Sequence, residues 1–408
     1  MIGESNNKKE KIKFLNTDFS INFQSNSKVE IFINKIFTEG IELNSSDIHL
    51  ESFGKYFRIR YRVDGVLIDK GEYDQEMYSP LISRIKILCN LDITEKRMPQ
   101  DGRVDGSYKN RELDFRISIV PTYFGEKVVI RILYKDTVKK NLKELGFEYE
   151  YYSKLFDIIK RKSGMLIISG PMGSGKTTSM YAILNEINSI EKNIITIEDP
   201  IEYIIAGINQ IQCKPEIGLD FSKILKSILR QDADVIMIGE IRDKETAEIA
   251  IKASLTGHLI ITTLHTKNTA SAIKRLVNLG IEPYMISAGI KGIQSQRLVR
   301  KLCENCKIED KNYKEKLKIL GIENINFKDK IYTHKGCEKC NFTGYKDRLL
   351  VGEFMYIDSN IEKLITSEIN VLELENKLKN LGIKSLLENG IKLVEDGKTS
   401  LDELIREC

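Results

Sequence analysis

The chain has no tryptophan, and its aromatic residues do not gather with lysine and arginine into a basic patch. Proteins that bind single-stranded nucleic acid need both, the aromatic rings for stacking and the basic groups for phosphate contacts. The excess of positive charge is also small, because 63 Lys and Arg oppose 59 Asp and Glu for a formal net charge of +4. The composition therefore gives no support to a nucleic-acid-binding protein.

No stretch of the chain approaches the roughly 18 uninterrupted apolar residues that a membrane-spanning helix requires. The amino-terminal segment MIGESNNKKEKIKF also lacks the apolar core of a signal peptide. Seven cysteines are too few and too unevenly placed for the disulfide framework of a secreted protein. These absences predict a cytoplasmic protein with at most a peripheral membrane role, and the length of 408 residues predicts two or three domains.

The most specific motif is GPMGSGKTT at 170–178, which directly follows the apolar run MLIIS. The pattern GxxxxGK[ST] predicts a phosphate-binding loop, in which glycines let backbone N–H groups approach the phosphates, Lys176 neutralises their charge and Thr177 coordinates Mg²⁺. Apolar residues at 180, 183, 184, 187 and 190 then continue at helical spacing. We predict that ATP is bound by the nine residues Gly170, Pro171, Met172, Gly173, Ser174, Gly175, Lys176, Thr177 and Thr178.

Three further apolar runs end in polar residues that suit phosphoryl transfer. Glu198 ends the run in NIITIEDP, Glu240 follows the run in DVIMIGEIRD, and His265 follows the run in HLIITTLHT. Helix-like segments lie between these runs, which predicts a mostly parallel sheet with its ligand site at the carboxyl ends of the strands. Glu240 is a candidate to hold the water shell of Mg²⁺ or to activate the attacking water, Glu198 is the competing base, and His265 is a candidate contact for the γ-phosphate.

The region from 28 to 136 shows a different pattern, which predicts a small α/β domain after a polar, poorly ordered lead-in at 1–27. A helix is predicted from Val29, and the alternation from Phe57 to Val63 followed by Asp64-Gly65 predicts a β-hairpin. The segments LDFRISIV and KVVIRILY predict two more strands. The charged stretch 135–162 suits a linker that leads into a second domain.

Four segments in this order resemble the ATPases of the type II secretion and type IV pilus family: GPMGSGKTT, TIEDPIEY at 196–203, LRQDADVIMIGEIRD at 229–243 and TGHLIITTLHT at 256–266. In that family they are called the Walker A, Asp box, Walker B and His box. The upstream segments SSDIHLE, RIRYRVDGVL, KRMPQDGRVDG and DFRIS are similar to the second, PAS-like N-terminal domain of the family. One departure is Ala233, where relatives commonly have proline.

The resemblance implies an α/β protein in which the small N-terminal domain precedes a RecA-like P-loop ATPase core at 137–300 and a C-terminal helical region at 346–408. It also implies a homo-hexamer in which Arg116 and Arg131 contribute to the γ-phosphate site. Spacing alone favours another interpretation, in which both arginines cover the solvated face of a sheet. The resemblance reverses that preference.

Two CxxC pairs are separated by thirty residues, Cys303 with Cys306 and Cys337 with Cys340. Two such pairs predict one tetrahedral Zn²⁺ site with four thiolates, which is structural because no position stays open for catalysis. An iron–sulfur cluster and free thiols are the alternatives. Similar tetracysteine insertions occur in the extension members of the family. We predict a zinc subdomain at 301–345 in which the lysine-rich residues 307–333 form a solvated extension.

These features together predict a hexameric, Mg²⁺-dependent ATPase that powers assembly of a type IV pilus or a type II secretion pseudopilus. It would act on a platform protein at the inner face of the cytoplasmic membrane. The tetracysteine motif and the lack of an AIRNLIRE-like segment favour pilus extension over retraction. The additional N-terminal docking domain of many relatives is expected to be missing. The alternatives are a nucleic-acid-translocating ATPase and a scaffold that binds ATP without turnover, although the retained Glu240, Glu198 and Lys176 argue against the scaffold.

Overall fold

The structure is a computed structural model that describes residues 12–15, 28–135, 142–147, 149–322, 325, 327, 329–367 and 370–408. It divides into two compact units, Met1–Thr137 and Val138–Cys408. Most of the predicted lead-in at 1–27 and residues 136–141 of the predicted linker lie outside the described residues.

The first unit is built on a seven-stranded antiparallel sheet with the strand order β1-β5-β6-β7-β2-β3-β4. Apolar residues of both helices and of the sheet form a single core. The elements in chain order are β1 Lys13–Leu15, α1 Lys28–Glu42, β2 Asp47–Ser52, β3 Tyr56–Val63, β4 Val66–Asp74, α2 Tyr78–Leu88, β5 Gln100–Tyr108, β6 Arg111–Thr122 and β7 Gly125–Tyr134.

Strand alternation explains this sheet. In β3 the side chains of Phe57, Ile59 and Tyr61 are buried, while the arginines between them lie on the opposite face. The predicted hairpin is confirmed, because Asp64 and Gly65 both have positive φ, 48° and 83°, as a two-residue hairpin turn requires. The sequence pattern did not predict strand β5. Its sequence, QDGRVDGSY, has little strand propensity, and the strand is stabilised by pairing with β6.

A buried ion pair joins α2 to β7. The Lys86 side chain is 1% exposed, and its Nζ lies 2.6 Å from Oε1 of Glu126. The same ammonium donates to the carbonyl of Glu95 at 2.6 Å, which fixes the segment after α2. An ion removed from water in this way is stable only while its partner stays in place.

The second unit contains a seven-stranded sheet with the order β10-β9-β11-β12-β8-β13-β16, parallel except for the antiparallel edge strand β16. The predicted, mostly parallel sheet is therefore confirmed. Its elements are α3 Tyr149–Ile159, β8 Gly164–Ser169, α4 Lys176–Ile187, β9 Ile194–Glu198, β10 Asn209–Gln212, α5 Phe221–Ile228, β11 Val235–Ile238, α6 Lys244–Leu255, β12 Leu259–Leu264, α7 Thr269–Asn278, α8 Pro283–Gly289, β13 Ile290–Leu302 and β16 Tyr345–Tyr356.

Strands β8, β11 and β12 are buried along their whole length, as expected for parallel strands covered by helices on both faces. Polar caps start the following helices, since Asp243 accepts from the Thr246 N–H at α6 and Asn268 accepts from the Ser271 N–H at α7. The prediction for Ile190 was wrong. Helix α4 ends at Ile187, and Ile190 is fully exposed beyond it because a short turn leads back to the sheet.

The insertion between β13 and β16 is more compact than the sequence indicated. Residues 307–333 contain the two-stranded ribbon β14 Ile308–Glu309 with β15 Tyr332–Thr333, and helix α9 Tyr313–Ile319. Leu317 and Ile331 are buried in a small core with side chains of the C-terminal helices. Most of the described residues of this segment are exposed or half-buried, as predicted for a solvated extension, but the small core was not predicted. The remaining helices are α10 Ser359–Thr366, α11 Val371–Asn380, α12 Leu386–Glu395 and α13 Leu401–Glu407.

We expect Lys86→Met to lower the stability of the first unit by about 3–5 kcal/mol, because Glu126 would stay buried without a counter-charge. Calorimetry of the whole chain measures this as a fall in the unfolding transition assigned to that unit. The double variant Lys86→Met/Glu126→Gln is the control and should recover most of the loss. A single variant as stable as the original chain would contradict the account.

Candidate nucleotide site and metal centre

The phosphate loop connects β8 to α4, and glycine is required at its first position. Gly170 has φ of 149°, and a Cβ there would lie 2.6 Å from the carbonyl oxygen of Gln296. Gly173 and Gly175 also have positive φ, 77° and 85°, a region that other residues rarely adopt. Helix α4 starts at Lys176, so its N-terminal N–H groups face the loop, as an anion site needs. The Lys176 ammonium donates to the carbonyls of Gly170 and Pro171 at 2.8 Å each.

The other predicted residues follow neighbouring strands of the same sheet. Glu198 ends β9, Glu240 follows β11 and His265 follows β12, and β12 pairs directly with β8. Because these strands are parallel, their carboxyl ends meet at one edge of the sheet, beside the phosphate loop.

Glu240 is the centre of a charged cluster at this edge. One of its carboxylate oxygens accepts a short hydrogen bond from Arg242, and the other lies 3.4 Å from Nε2 of His265. Arg242 also lies 3.5 Å from Oδ2 of Asp199, the residue after Glu198. Arg242 thus joins the carboxylates of the Asp box and the Walker B segment, a role that the sequence analysis missed although the motif GEIRD contains it.

The charged groups of this cluster shift one another's pKa values. Burial lowers the pKa of Lys176 to about 8, against the opposing charge of Glu240 and with a further contribution from Arg297. Burial and the charge of Lys176 lower the pKa of His265, although Glu240 acts in the other direction. Burial raises the pKa of Glu240, but Arg242, His265 and Lys176 outweigh this effect and lower it overall. Near pH 7 the cluster therefore presents a charged lysine, a neutral histidine and an ionised carboxylate.

Glu198 is placed differently from Glu240. Its side chain is buried, and its carboxylate accepts from the hydroxyls of Tyr181 and Thr196 and from the side-chain amide of Gln210 at 3.0 Å. A carboxylate engaged by three donors is poorly placed to take a proton from water. The geometry therefore favours Glu240 over Glu198 as the group that faces the reacting water.

In the first unit, Arg116 and Arg131 are direct cross-strand partners on β6 and β7. Both line an open cavity of about 550 Å³ on the face of the sheet opposite the core. Nε of Arg131 lies 3.1 Å from Oδ1 of Asp47, and Nε of Arg116 lies 3.7 Å from Oδ2 of the buried Asp114. Asp114 also pairs with Arg103 at 2.7 Å, so carboxylates beneath the cavity orient a cluster of guanidinium groups.

The four predicted cysteines come together, with all four Sγ atoms within 4.8 Å of one another. Sγ–Sγ distances are 3.9 Å for Cys303 and Cys337, 3.8 Å for Cys306 and Cys340, and 3.7 Å for Cys337 and Cys340. Four thiolates at about 2.3 Å from one zinc ion in a tetrahedron would be roughly 3.8 Å apart. Backbone N–H groups of Cys337 and Gly344 point at Sγ of Cys340, at 3.2 Å each, which suits a thiolate ligand. The residues therefore fit a tetrahedral metal ion.

The sequence profile of the family described as "Type II/IV secretion system protein" matches residues 22–406. This chain belongs to that family. It is 42% identical over 380 residues to the type IV pilus assembly ATPase PilB of Myxococcus xanthus, covering 91% of this chain and 66% of that protein. It is 43% identical over 378 residues to the type II secretion system ATPase E of Vibrio cholerae, covering 92% and 74%. Family membership and the geometry above identify the second unit as a P-loop ATPase.

Two solved structures have a similar fold. The Legionella pneumophila ATPase DotB matches with a TM-score of 0.68 at 19% identity, covering 91% of this chain and 94% of that chain. The pilus retraction motor PilT with bound ADP matches with a TM-score of 0.61 at 24% identity, covering 94% and 97%. The predicted α/β fold, a small domain with a RecA-like ATPase unit and a tetracysteine insertion, is confirmed. Within the described residues, the helices are too short or too polar to cross a membrane.

We expect nucleotide binding to take up a proton at alkaline pH. Lys176, with a pKa of about 8, is roughly three quarters deprotonated at pH 8.5, whereas phosphates beside it favour the ammonium form. The affinity for MgATP should therefore fall as the pH rises above 8. Calorimetric titration at pH 8.5 in two buffers of different ionisation enthalpy measures the uptake, and the same titration at pH 7.2 should show little. Equal uptake at both pH values would contradict the assignment to Lys176.

We expect the purified chain to hold one zinc ion through its four cysteines, and Cys337→Ser to lose the ion together with several degrees of thermal stability. Elemental analysis and calorimetry measure the two effects. Cys213→Ser is the matched control, because this buried thiol lies outside the cluster. Iron with visible absorbance in the purified chain would instead indicate an iron–sulfur cluster.

Proposed function

We propose that this chain is the hexameric, Mg²⁺-dependent ATPase that powers assembly of a type IV pilus or of a type II secretion pseudopilus. The observation that carries the proposal is the charged edge of the sheet, where Lys176, Glu240 and His265 adjoin one phosphate loop. The relatives named above are a pilus assembly ATPase and a type II secretion ATPase. Since the chain spans 66% of the first of these and 43% of the PilB of Thermus thermophilus, its partners and cargo belong to this proposal.

Catalysis would divide among these residues as follows. Residues 170–178 would hold the phosphates and Lys176 would neutralise them, while Thr177, at the start of α4, would hold Mg²⁺, which would supply further positive charge to the phosphates. Glu240 would accept a hydrogen bond from the attacking water. Its lowered pKa makes it a weak proton acceptor but a good fixed negative charge, so orienting water is its main task. Neutral His265 donates to the γ-phosphate, and Glu198 holds the Asp box in place.

Arg116 and Arg131 would supply positive charge to the γ-phosphate when nucleotide is bound. Their support is a carboxylate beside each guanidinium group: Asp47 accepts a hydrogen bond from Nε of Arg131 at 3.1 Å, and Asp114 forms an ion pair with Arg116 at 3.7 Å. If these arginines reach the γ-phosphate only when their domain moves, recognition of the phosphate is coupled to that movement. A motor requires such coupling. In the alternative, the arginines only cover a solvent-exposed face of the sheet. That alternative predicts that Arg131→Gln leaves ATP hydrolysis unchanged.

The mechanical output would act on an inner-membrane platform protein at the cytoplasmic face of the membrane, and the zinc subdomain supports the extension role. The resemblance and the tetracysteine cluster carry this part of the proposal. No specific observation among the residues that the structure describes favours a nucleic-acid translocase, and DNA-stimulated, salt-sensitive hydrolysis would revive that alternative.

We expect Glu240→Gln to reduce ATP turnover on the order of 100-fold, because the amide cannot replace the fixed negative charge. Nucleotide affinity and assembly should be retained. Steady-state hydrolysis, nucleotide titration and light scattering in MgATP measure the three properties.

The control is Glu245→Gln, since Glu245 is an exposed residue of α6 whose side-chain partners are Lys226 and Ser222, both outside the charged cluster around Glu240. Its turnover should match that of the original chain. If the original chain assembles as a hexamer yet does not hydrolyse ATP, even with a platform protein and lipid present, the scaffold alternative gains and the catalytic assignments fail.

A further inference from the structure

Strand β13 contacts both the phosphate loop, through Ser174, and the segment after His265, through Lys267. Its residues alternate between two faces, so Gln294 and Gln296 lie on one face while Ser295 and Arg297 lie on the other. All four side chains are buried, although each is polar. Buried polar side chains in the centre of a sheet need partners, and here the partners belong to the ATPase site.

The face with Gln296 contacts the phosphate loop. Nε2 of Gln296 donates to the carbonyl of Ser174 at 2.8 Å, and Oε1 of Gln296 accepts from Oγ of Ser179 on α4 at 3.1 Å. Gln294 donates to the same Oε1 at 2.6 Å, which fixes the amide orientation. One side chain therefore sets the distance between β13 and the loop that binds phosphate.

The face with Arg297 contacts the loop that leads from His265 to α7. The guanidinium donates through Nη2 to the carbonyl of Lys267 at 2.8 Å, and Oγ of Ser295 donates to the same carbonyl at 3.2 Å. Nη1 reaches the carbonyl of Gln296 at 2.9 Å, and Nε reaches the carbonyl of Glu407 in α13 at 3.2 Å. The planar fork of arginine thus joins three carbonyls from three separate parts of the chain.

We propose that Arg297 is a positioning residue for His265. It fixes the backbone two residues beyond the imidazole, while its neighbour Gln296 fixes the phosphate loop, so β13 sets the separation between the imidazole and the bound phosphates. This proposal rests on the γ-phosphate contact assigned to His265 above. A movement of about 1 Å in a positioned group costs roughly 100-fold in rate in unfavourable cases.

The test compares Arg297→Lys with the original chain in two equilibrium affinities, for MgADP and for a non-hydrolysable ATP analogue. Lysine keeps the charge but cannot join three carbonyls. We expect the preference for the ATP analogue over ADP to fall about tenfold, the loss of one hydrogen bond to a charged group. The affinity for ADP should change less than twofold, because Gln296 still holds the phosphate loop.

Arg300→Lys is the matched control. Arg300 lies three residues further along β13, and its Nη2 pairs with Oε1 of Glu403 in α13 at 2.5 Å, away from Lys267. If both arginine variants reduce the preference equally, the effect comes from docking of α13 and the proposal is overturned. Ser295→Ala removes the weaker contact to Lys267 and should reduce the preference for the ATP analogue by a smaller factor. If Arg297→Lys does not fold, Ser295→Ala takes its place in the test.

A double-mutant cycle with His265→Ala separates this inference from the proposed function. If His265→Ala leaves the ATP preference intact, the assigned γ-phosphate contact is wrong, and the proposal for Arg297 fails with it. If His265→Ala abolishes the preference, Arg297→Lys should add less than twofold in that background. Full additivity, or an unchanged preference in Arg297→Lys alone, would overturn the positioning role while the function of His265 stands.

Discussion

The ATPase unit depends on the hydrogen-bond register of its parallel sheet. Strands β9, β11, β12, β8 and β13 pair in that spatial order, although they occur in a different order along the chain. Parallel pairing brings their carboxyl ends to the same edge, so Glu198, Glu240, His265 and the phosphate loop become neighbours although they are far apart in the sequence. A change of register by one residue would turn each of these side chains towards the other face of the sheet.

The same register arranges charge. Glu240 lies next to Arg242 and His265, and its charge also acts on Lys176. Burial lowers the pKa of Lys176, whereas the positive charges around Glu240 outweigh the effect of burial and keep that carboxylate ionised. The polar residues of β13 add buried hydrogen bonds to the phosphate loop and to the segment after His265.

The first unit and the tetracysteine insertion are stabilised in different ways. The first unit has an extensive apolar core with a buried ion pair, Lys86 with Glu126. Among the described residues of the insertion at 301–345, a few apolar side chains such as Leu317 and Ile331 are buried, in a core shared with the C-terminal helices. A small core of this kind is commonly stabilised by a metal ion, and the four cysteine sulfurs are spaced for one.

The sequence by itself determined the features that depend on local pattern. Glycine spacing identified the phosphate loop, and the paired CxxC motifs identified the cluster of four cysteines. Apolar runs located the buried strands β8, β9, β11 and β12. These signals are local because strand and turn preferences act over a few residues. Only the tertiary structure distinguished the surroundings of the two carboxylates, because Glu198 and Glu240 both come at the end of apolar runs and the sequence does not show distant partners such as Gln210 and His265. It likewise revealed β5, the core within 307–333 and the contacts of Arg297, since pairing and burial between distant segments leave no periodic trace in the chain.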